Sequence, residues 1–264
     1  MISIILFTAG VAAVVAMFLG FALGVFKEIF YVKEDPLTGL IREALPGANC
    51  GGCGFPGCDG YASAVAAGAD ITKCSAGGNA TAAKLAEIMG KGEVTVTPMV
   101  SVRCCLGGDE IAVKRGKYTG LPTCRGAKIA GGTKLCSWGC IGFGDCVKVC
   151  KFGALSMGKD HLPVVNWGLC TGCKVCVAEC PQGILKVIPK DKKVVLAICS
   201  NRNPLRAAIR KTCRLGCIKC GICVKQCPQQ CIEIVSGIPI VDYDKCTACG
   251  TCEQKCPTKV MRVL

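Results

Sequence analysis

The stretch Cys246-Thr-Ala-Cys249-Gly-Thr-Cys252-Glu-Gln-Lys-Cys256-Pro257 lies near the C-terminus. Its spacing, C-x-x-C-x-x-C-x-x-x-C-P, is the run with which bacterial ferredoxins hold [4Fe–4S] clusters. A structural zinc site usually draws its ligands from two separated pairs instead. A disulfide framework gives no reason to repeat so tight a turn. The stretch therefore predicts iron–sulfur chemistry.

Three further cysteine runs precede this one, which we call run four. Runs two and three repeat its spacing and its following proline, whereas run one has longer intervals and Lys151 in place of the proline. Run one comprises Cys136, Cys140, Cys146 and Cys150; run two, Cys170, Cys173, Cys176 and Cys180; run three, Cys217, Cys220, Cys223 and Cys227; run four, Cys246, Cys249, Cys252 and Cys256. Trp167 and Tyr243 lie three residues before runs two and four, which indicates an internal duplication.

In two-cluster ferredoxins, the fourth cysteine of each run binds the other cluster. Applied to runs one to four, this rule predicts four clusters. Their expected ligand sets are Cys136, Cys140 and Cys146 with Cys180; Cys150 with Cys170, Cys173 and Cys176; Cys217, Cys220 and Cys223 with Cys256; and Cys227 with Cys246, Cys249 and Cys252. The longer intervals of run one predict altered geometry or weaker binding there. Short β-hairpin segments at Cys231 to Val241 and Leu162 to Asn166 are expected to frame each pair.

A fifth cluster is predicted nearer the N-terminus, where the spacing is C-x2-C-x4-C-x15-C. Its expected ligands are Cys50, Cys53, Cys58 and Cys74. The glycines between them let the backbone pass close to a cluster and aim N–H groups at its sulfurs. Asp59 is expected to cap a helix that runs to about Ala67, and a second helix is expected from Thr81 to Met89.

The first 26 residues carry no charge. As a helix they would measure about 39 Å, enough to cross a bilayer. A signal peptide would need a basic start and a shorter apolar core, so a single-pass anchor in the cell membrane is predicted. Lys27 and Lys33 follow, and the positive-inside rule then puts the bulk of the chain in the cytoplasm. Small residues at four-residue spacing favour a partner helix in the membrane, unless they merely reflect membrane-helix composition; they are Ala12, Ala16, Gly20 and Gly24.

The composition is 264 residues with 26 cysteines, one histidine and 5% aromatic residues. The metal-binding spacing argues for thiolates in a reducing compartment rather than disulfides. The formal charge of +14 counts these thiols as neutral. Each four-thiolate cluster contributes about −2 when oxidised, so five clusters would remove roughly ten charges. The positive formal charge therefore gives little support for nucleic-acid binding.

Six cysteines fall outside the expected sets, namely Cys104, Cys105, Cys124, Cys199, Cys213 and Cys231. We interpret Cys104, Cys105 and Cys124 as buried or half-buried thiols, and a further cluster of these residues with Cys199 or Cys213 stays open. His161 is expected to be an exposed loop residue rather than a ligand.

A basic stripe is expected between the last two pairs of runs, if that segment is helical. It would be either a solvated face or a docking surface for an acidic electron donor such as ferredoxin. Its members recur every four residues and are Arg202, Arg206, Arg210 and Arg214.

These patterns predict an α+β chain with one transmembrane helix, a small helical [4Fe–4S] domain and two tandem two-cluster ferredoxin-like modules. The expected boundaries are 1–26 for the transmembrane helix, 27–93 for the cluster domain, 94–135 for a linker, 136–190 for the first module, 191–216 for a connector and 217–264 for the second module. A short strand is expected in the linker at Val94 to Thr97.

The order of an uncharged helix, the C-x2-C-x4-C-x15-C segment and ferredoxin runs resembles the B subunit of Rnf complexes, and the likeness covers nearly the whole chain. The N-terminal cluster segment also resembles one in corrinoid iron–sulfur proteins. The Rnf resemblance implies one component of a membrane-bound ferredoxin:NAD oxidoreductase coupled to sodium or proton translocation. It further implies that the chain takes electrons from reduced ferredoxin and passes them towards membrane partner subunits.

The sequence shows no set of catalytic acid, base and nucleophile, and no flavin or NAD site. The G-x-G-x-x-G pattern from Gly52 to Gly57 lacks the preceding strand that dinucleotide binding needs. Bond chemistry is therefore expected in partner subunits. Two alternatives stay open: a polyferredoxin arm of another membrane enzyme such as a hydrogenase, and a metal-stabilised or redox-sensing binding protein.

Overall fold

The computed structural model describes residues 2–30 and 35–264. The chain divides into two compact units, one that ends at Gly39 and one that runs from Leu40 to Leu264. All four cysteine runs and the N-terminal cluster segment lie in the second unit, which is therefore the part that positions the candidate ligands.

Helix α1 spans Ile2–Ile29, and none of its side chains is buried. Its 28 residues rise about 42 Å, so it is long and apolar enough to cross a membrane. The small residues Gly20 and Gly24 face open space within the unit. Lys27 extends the helix, whereas Lys33 lies outside the described residues.

Three helices surround the N-terminal cluster segment: α2 (Pro36–Ala44), α3 (Cys58–Ala66) and α4 (Gly78–Ile88). The expected cap at Asp59 is wrong, because α3 begins one residue earlier and its N-cap is Gly57. Asp59 instead lies in the first turn, where it pairs with Arg42 at 2.5 Å. Helix α4 begins three residues before the expected Thr81.

Strand β1 (Met99–Arg103) pairs antiparallel with β4 (Leu185–Pro189). The strand expected at residues 94–97 is wrong, since that segment has no regular structure. The alternating valines and threonines there have strand propensity but no partner. By contrast, Val100 and Val102 of β1 are buried. The segment expected to be a linker thus contributes a strand to the core, and it also contains helix α5 (Cys124–Ile129).

Each cysteine run contains a short helix that includes its third cysteine and ends before its fourth. These helices are α6 (Asp145–Lys148), α7 (Val175–Glu179), α9 (Ile222–Lys225) and α10 (Thr251–Gln254). In every run the residue before the helix is left-handed, at Gly144, Lys174, Gly221 and Gly250. A left-handed backbone conformation at a lysine costs about 1–2 kcal/mol. The turn at Lys174 therefore forms despite the backbone preference of that residue.

The hairpin expected at Cys231 to Val241 is present, whereas the segment expected at Leu162 to Asn166 supplies only one strand of a longer hairpin. Strand β2 (Leu155–Met157) pairs with β3 (Pro163–Val165), and β6 (Ile232–Val235) pairs with β7 (Ile238–Val241). The C-terminal strand β8 (Met261–Val263) pairs with β5 (Val195–Ala197). The expected connector therefore packs into the second pair of runs, and α8 (Arg206–Thr212) lies on the same connector.

Candidate metal centres

The N-terminal cavity is a space of about 340 Å³ lined by four cysteines. They are Cys50, Cys53, Cys58 and Cys74. This is the ligand set expected from the sequence spacing. The backbone N–H of Cys58 donates to Asn49 Oδ1 at 2.8 Å, which ties the ligand loop to the start of α3. Three of the cysteines come from one loop and its junction with α3, so local sequence is enough to bring them together.

The Cys217 cavity is a space of about 400 Å³ lined by Cys217, Cys220, Cys223 and Cys256. The first three belong to run three and the last belongs to run four. Cys223 lies on α9, whereas Cys256 follows the end of α10. The sulfurs are thus distributed as the exchange of fourth cysteines requires.

The Cys170 group comprises Cys150, Cys170, Cys173 and Cys176. Burial raises the pKa of Cys176, and the charges of the other three raise it further. The Cys246 group comprises Cys227, Cys246, Cys249 and Cys252. Burial raises the pKa of Cys252 to about 11, and the same mutual repulsion adds to the rise. In both groups, neighbouring thiolates need a cation or cluster to be stable together.

The Cys124 cavity differs from the expected grouping. It is a space of about 360 Å³ lined by Cys124, Cys140, Cys146 and Cys180. Cys124, which sequence reasoning treated as a buried thiol, occupies the place expected for Cys136. Burial raises the pKa of both Cys140 and Cys146 to about 12. Cys124 is among the neighbouring thiols that raise both values further.

Local geometry explains the difference. Runs two to four have a left-handed residue just before the second cysteine, at Gly172, Lys219 and Ala248. That turn brings the first two cysteines of each run to one site. Run one has an extra residue there and no positive-φ residue at Gly139, and Cys136 lines a separate cavity.

Helix α5 supplies the missing thiol. The backbone N–H of Cys124 donates to Asp145 Oδ2 at 2.6 Å, which links the start of α5 to α6. Arg125 forms a two-pronged pair with Glu179 of α7, with N···O distances of 3.2 and 3.1 Å. These contacts hold Cys124 beside the cysteines of runs one and two. No spacing rule signals them, because they join segments far apart in sequence.

Cys104 and Cys231 belong to none of these cavities or groups. Cys104 is fully buried in an apolar cluster with Val100 and Val102, and its burial raises its pKa to about 11. Cys231 is buried with its sulfur 3.5 Å from that of Cys227. His161 is exposed, and its Nδ1 lies 3.0 Å from Asp109 Oδ2. We assign no ligand role to these three residues.

The spacing of the sulfurs distinguishes a cluster from a single ion. Within residues 2–30 and 35–264, no three Cys, His, Asp or Glu side chains converge tightly enough for one metal ion. Zinc would draw its sulfurs to about 2.3 Å from a common centre. Four cysteines that line one shared cavity without converging on a single point instead suit a larger body that binds one thiolate at each iron. The donor sets therefore fit iron–sulfur clusters.

Ser101 of β1 is a neighbour of the candidate ligands that sequence reasoning missed. Its backbone N–H donates to Cys170 Sγ at 3.3 Å, and its hydroxyl lies 3.5 Å from Cys176 Sγ. The residue is 1% exposed. Hydrogen bonds to ligand sulfurs stabilise the more negative, reduced state of a cluster. Ser101 is thus placed to tune the potential at the Cys170 group.

We expect Ser101→Ala to lower the reduction potential at the Cys170 group. A lost hydrogen bond costs about 1 kcal/mol, which corresponds to roughly 40 mV for a one-electron couple. Potentiometric EPR titration measures the shift. Ser156→Ala is the matched control, because Ser156 is exposed on β2. Equal potentials in both variants would contradict the assignment.

Family models match three segments of the chain. The description "Putative Fe-S cluster" matches residues 45–76, and "4Fe-4S dicluster domain" matches residues 139–185 and 216–260. These segments contain the N-terminal cavity, most of runs one and two, and all of runs three and four. Together with the four-cysteine cavities, they define a multi-cluster iron–sulfur protein, which confirms the predicted class of cofactor.

Curated relatives cover most of the chain, and all three named here are B subunits of complexes. The chain is 42% identical to that of the Na(+)-translocating ferredoxin:NAD(+) oxidoreductase complex of Acetobacterium woodii, over 93% of this chain and 74% of the relative. It is 37% identical to that of the proton-translocating ferredoxin:NAD(+) oxidoreductase complex of Clostridium ljungdahlii, over 89% and 84% of the two chains. It is 36% identical to that of the ion-translocating oxidoreductase complex of Methanosarcina acetivorans, over 87% and 88%.

The chain therefore belongs to the B-subunit family of ion-translocating ferredoxin:NAD(+) oxidoreductase complexes, the Rnf complexes. The family predicted from the sequence is confirmed. So is the general function, that of an iron–sulfur electron-transfer subunit. The apolar helix α1 agrees with association with a membrane.

Proposed function

We propose that this chain conducts electrons, one at a time, from reduced ferredoxin along a row of [4Fe–4S] clusters to membrane partner subunits, and ultimately to NAD. The observation that carries the proposal is the close approach of neighbouring cysteine sets throughout the second unit. When bound, each cluster supplies a one-electron carrier. The chain supplies the ligands, their hydrogen bonds and the spacing between sites.

The proposed ligand sets follow the cavities. The N-terminal cavity, the Cys217 cavity, the Cys170 group and the Cys246 group keep the sets expected from the sequence. The Cys124 cavity takes Cys124 in place of Cys136. This gives five clusters. We also propose the arrangement as one cluster domain followed by two tandem ferredoxin-like modules, to which the segments expected as linker and connector add strands β1 and β5.

The N-terminal cluster domain contacts the first module at the ligands themselves. A Cβ added to Gly52 would lie 2.5 Å from the carbonyl oxygen of Cys173. Lys151 Nζ donates to the carbonyl of Asn49 at 2.8 Å across the same contact. Burial raises the pKa of Cys173, and Cys50 is among the thiols that raise it further. Electrons can therefore pass between the N-terminal cavity and the Cys170 group.

Within each module the two sites share a helix. Helix α7 begins next to Cys176 of the Cys170 group and ends next to Cys180 of the Cys124 cavity. Helices α9 and α10 join the Cys217 cavity to the Cys246 group in the same way. A helix of four or five residues spans only about 6–8 Å, so paired sites are neighbours.

We place the docking of ferredoxin near the Cys217 cavity. Only Arg206 and Arg210 of the expected stripe lie on α8, because that helix begins at Arg206 and ends at Thr212. All four arginines of the stripe are exposed. Arg206 Nη2 donates to the carbonyl of Lys219 at 3.4 Å, and Lys219 lines the cavity. An acidic partner attracted by these arginines would lie beside a cluster site.

We expect the double substitution Arg206→Glu and Arg210→Glu to weaken ferredoxin binding about tenfold at low salt. Two exposed charge contacts are worth roughly 0.5–1 kcal/mol each. The rate of cluster reduction against ferredoxin concentration gives the apparent affinity. Lys84→Glu with Lys91→Glu makes the same charge change at exposed sites elsewhere. If both pairs behave alike, docking at α8 is contradicted.

For orientation we propose a single-pass anchor with the second unit in the cytoplasm. The Lys27 charge that follows the apolar segment of α1 supports this side. The N-terminal cavity is the cluster site nearest in sequence to α1, so it is the proposed exit towards membrane partners. Protease accessibility in right-side-out vesicles tests the side: intact vesicles should protect residues 40–264.

Mixing the anaerobically purified chain with reduced ferredoxin tests the function as a whole. The proposal predicts loss of the cluster absorbance in the visible range and appearance of EPR signals of reduced clusters. A chain whose fully loaded clusters stay oxidised under these conditions would overturn the electron-transfer route from ferredoxin.

A further inference from the structure

The Cys105 cavity is lined by four cysteines, of which sequence reasoning assigned only one to a cluster. They are Cys105, Cys136, Cys199 and Cys213. They come from four separate segments: the loop after β1, the start of run one, the loop after β5 and the end of α8. We propose that these four residues hold a sixth [4Fe–4S] cluster, which connects the two modules.

The size of the cavity matches that of the other candidate sites. It is a space of about 360 Å³, equal to the Cys124 cavity and between the N-terminal and Cys217 cavities. A Cβ added to Gly107 would lie 3.6 Å from Cys105 Sγ and 3.7 Å from Cys213 Sγ. A glycine thus lies next to the sulfurs, as glycines do at the N-terminal cavity.

Each of the four sulfurs has an N–H group directed at it. The Cys140 backbone N–H donates to Cys105 Sγ at 3.4 Å, and the Cys217 backbone N–H donates to Cys199 Sγ at 3.3 Å. Asn201 Nδ2 donates to Cys136 Sγ at 3.5 Å, and the backbone of Leu215 donates to Cys213. Such donors stabilise sulfur ligands that carry negative charge.

A buried lysine gives independent support. The Lys134 side chain is 3% exposed and donates from Nζ to the carbonyl of Gly107 at 2.7 Å. Its nearest carboxylate oxygen, on Asp109, is 3.9 Å away. A buried ammonium group needs nearby negative charge. Gly107 lines the Cys105 cavity, so the buried ammonium group lies at the edge of that cavity, where an anionic cluster would balance its charge.

The Cys105 cavity lies between the candidate cluster sites of the two modules. Cys105 accepts a hydrogen bond from Cys140, which lines the Cys124 cavity. Cys199 accepts one from Cys217, which lines the Cys217 cavity. A cluster here would take one electron from the reduced site at Cys217 and give one to the site at Cys124. No bond breaks and no proton moves. This role rests on the proposed function, whereas the presence of the cluster does not.

Iron and acid-labile sulfide analysis of the anaerobically purified full chain tests the proposal. Six four-iron clusters require about 24 iron atoms per chain, and five require about 20. We expect about 24 in the unsubstituted protein. Cys213→Ala and Cys199→Ala should each lose about four irons, together with about one spin in the fully reduced EPR spectrum.

Cys104→Ala is the matched control, since Cys104 is buried beside Cys105 but does not line the cavity. It should keep the full iron count. About 20 irons in the unsubstituted chain, or an unchanged count in Cys213→Ala, would overturn the proposal. If the Cys213 variant fails to fold, native mass spectrometry of the unsubstituted chain decides between five and six clusters. None of these readouts depends on whether ferredoxin reduces the protein.

Discussion

Cys124→Ala should lose about four of the chain's iron atoms, because Cys124 lines the cavity with Cys140, Cys146 and Cys180. Removing one of four thiolate ligands leaves an iron without its protein donor. Electron flow should then stop in the first module, since the row loses a central site. Iron analysis measures the first effect, and ferredoxin-driven reduction of the remaining clusters measures the second.

Cys104→Ala again serves as the comparison, because it also removes a buried thiol but belongs to an apolar cluster with Val100 and Val102 and to no candidate ligand set. It should cost about 1 kcal/mol of unfolding free energy and no iron. A Cys124→Ala protein with its full iron content would show that Cys124 is a packing residue and that run one binds its cluster differently.

Gly52→Ala should disconnect the N-terminal cluster from the rest of the row. The added Cβ would lie 2.5 Å from the carbonyl oxygen and 2.9 Å from the Cβ of Cys173, and neither atom can move freely. Overpacking of this kind costs about 1–3 kcal/mol, which lowers the docked population roughly 5- to 160-fold. Iron content should remain complete, because Gly52 is not a ligand.

The magnetic interaction between neighbouring reduced clusters in EPR spectra measures this contact. Gly92→Ala is the control, since a Cβ there meets nothing within 4 Å. An unchanged interaction in Gly52→Ala would contradict direct docking of the N-terminal cavity on the Cys170 group.

The proposed grouping of runs two to four could be predicted from the sequence because their geometry is local. Each has left-handed residues at matching positions, including Gly183, Gln230 and Lys259 three residues after the last cysteine. Short loops with fixed turns place three cysteines around one site. The fourth follows from the pairing of the runs.

The Cys124 and Cys105 cavities could not be deduced in this way. Cys124 reaches its site through the Asp145 hydrogen bond and the Arg125–Glu179 pair. Cys199 and Cys213 lie more than 60 residues from the Cys136 that shares their cavity. Such ligands depend on tertiary packing, which spacing does not encode. The longer intervals of run one were the available signal, since they predicted altered geometry or weaker binding at that site.

The prediction of secondary structure was also wrong where the outcome depends on tertiary packing. Residues 94–97 alternate valine and threonine, yet the strand forms at Met99–Arg103. The deciding factor is the partner strand β4, against which Val100 and Val102 become buried. Strand propensity is a statement about packing context, and that context lies about 85 residues away in the sequence.

The central claim is that the cluster sites form one continuous row between the Cys217 cavity and the N-terminal cavity. Rapid-freeze EPR after mixing with reduced ferredoxin tests it most directly, with the N-terminal signal identified by its absence in Cys58→Ala. The account predicts that this signal becomes reduced in the intact chain and stays oxidised when Cys223→Ala removes the cluster of the Cys217 cavity. Equal reduction in both proteins would mean that electrons enter elsewhere, and the row would be contradicted.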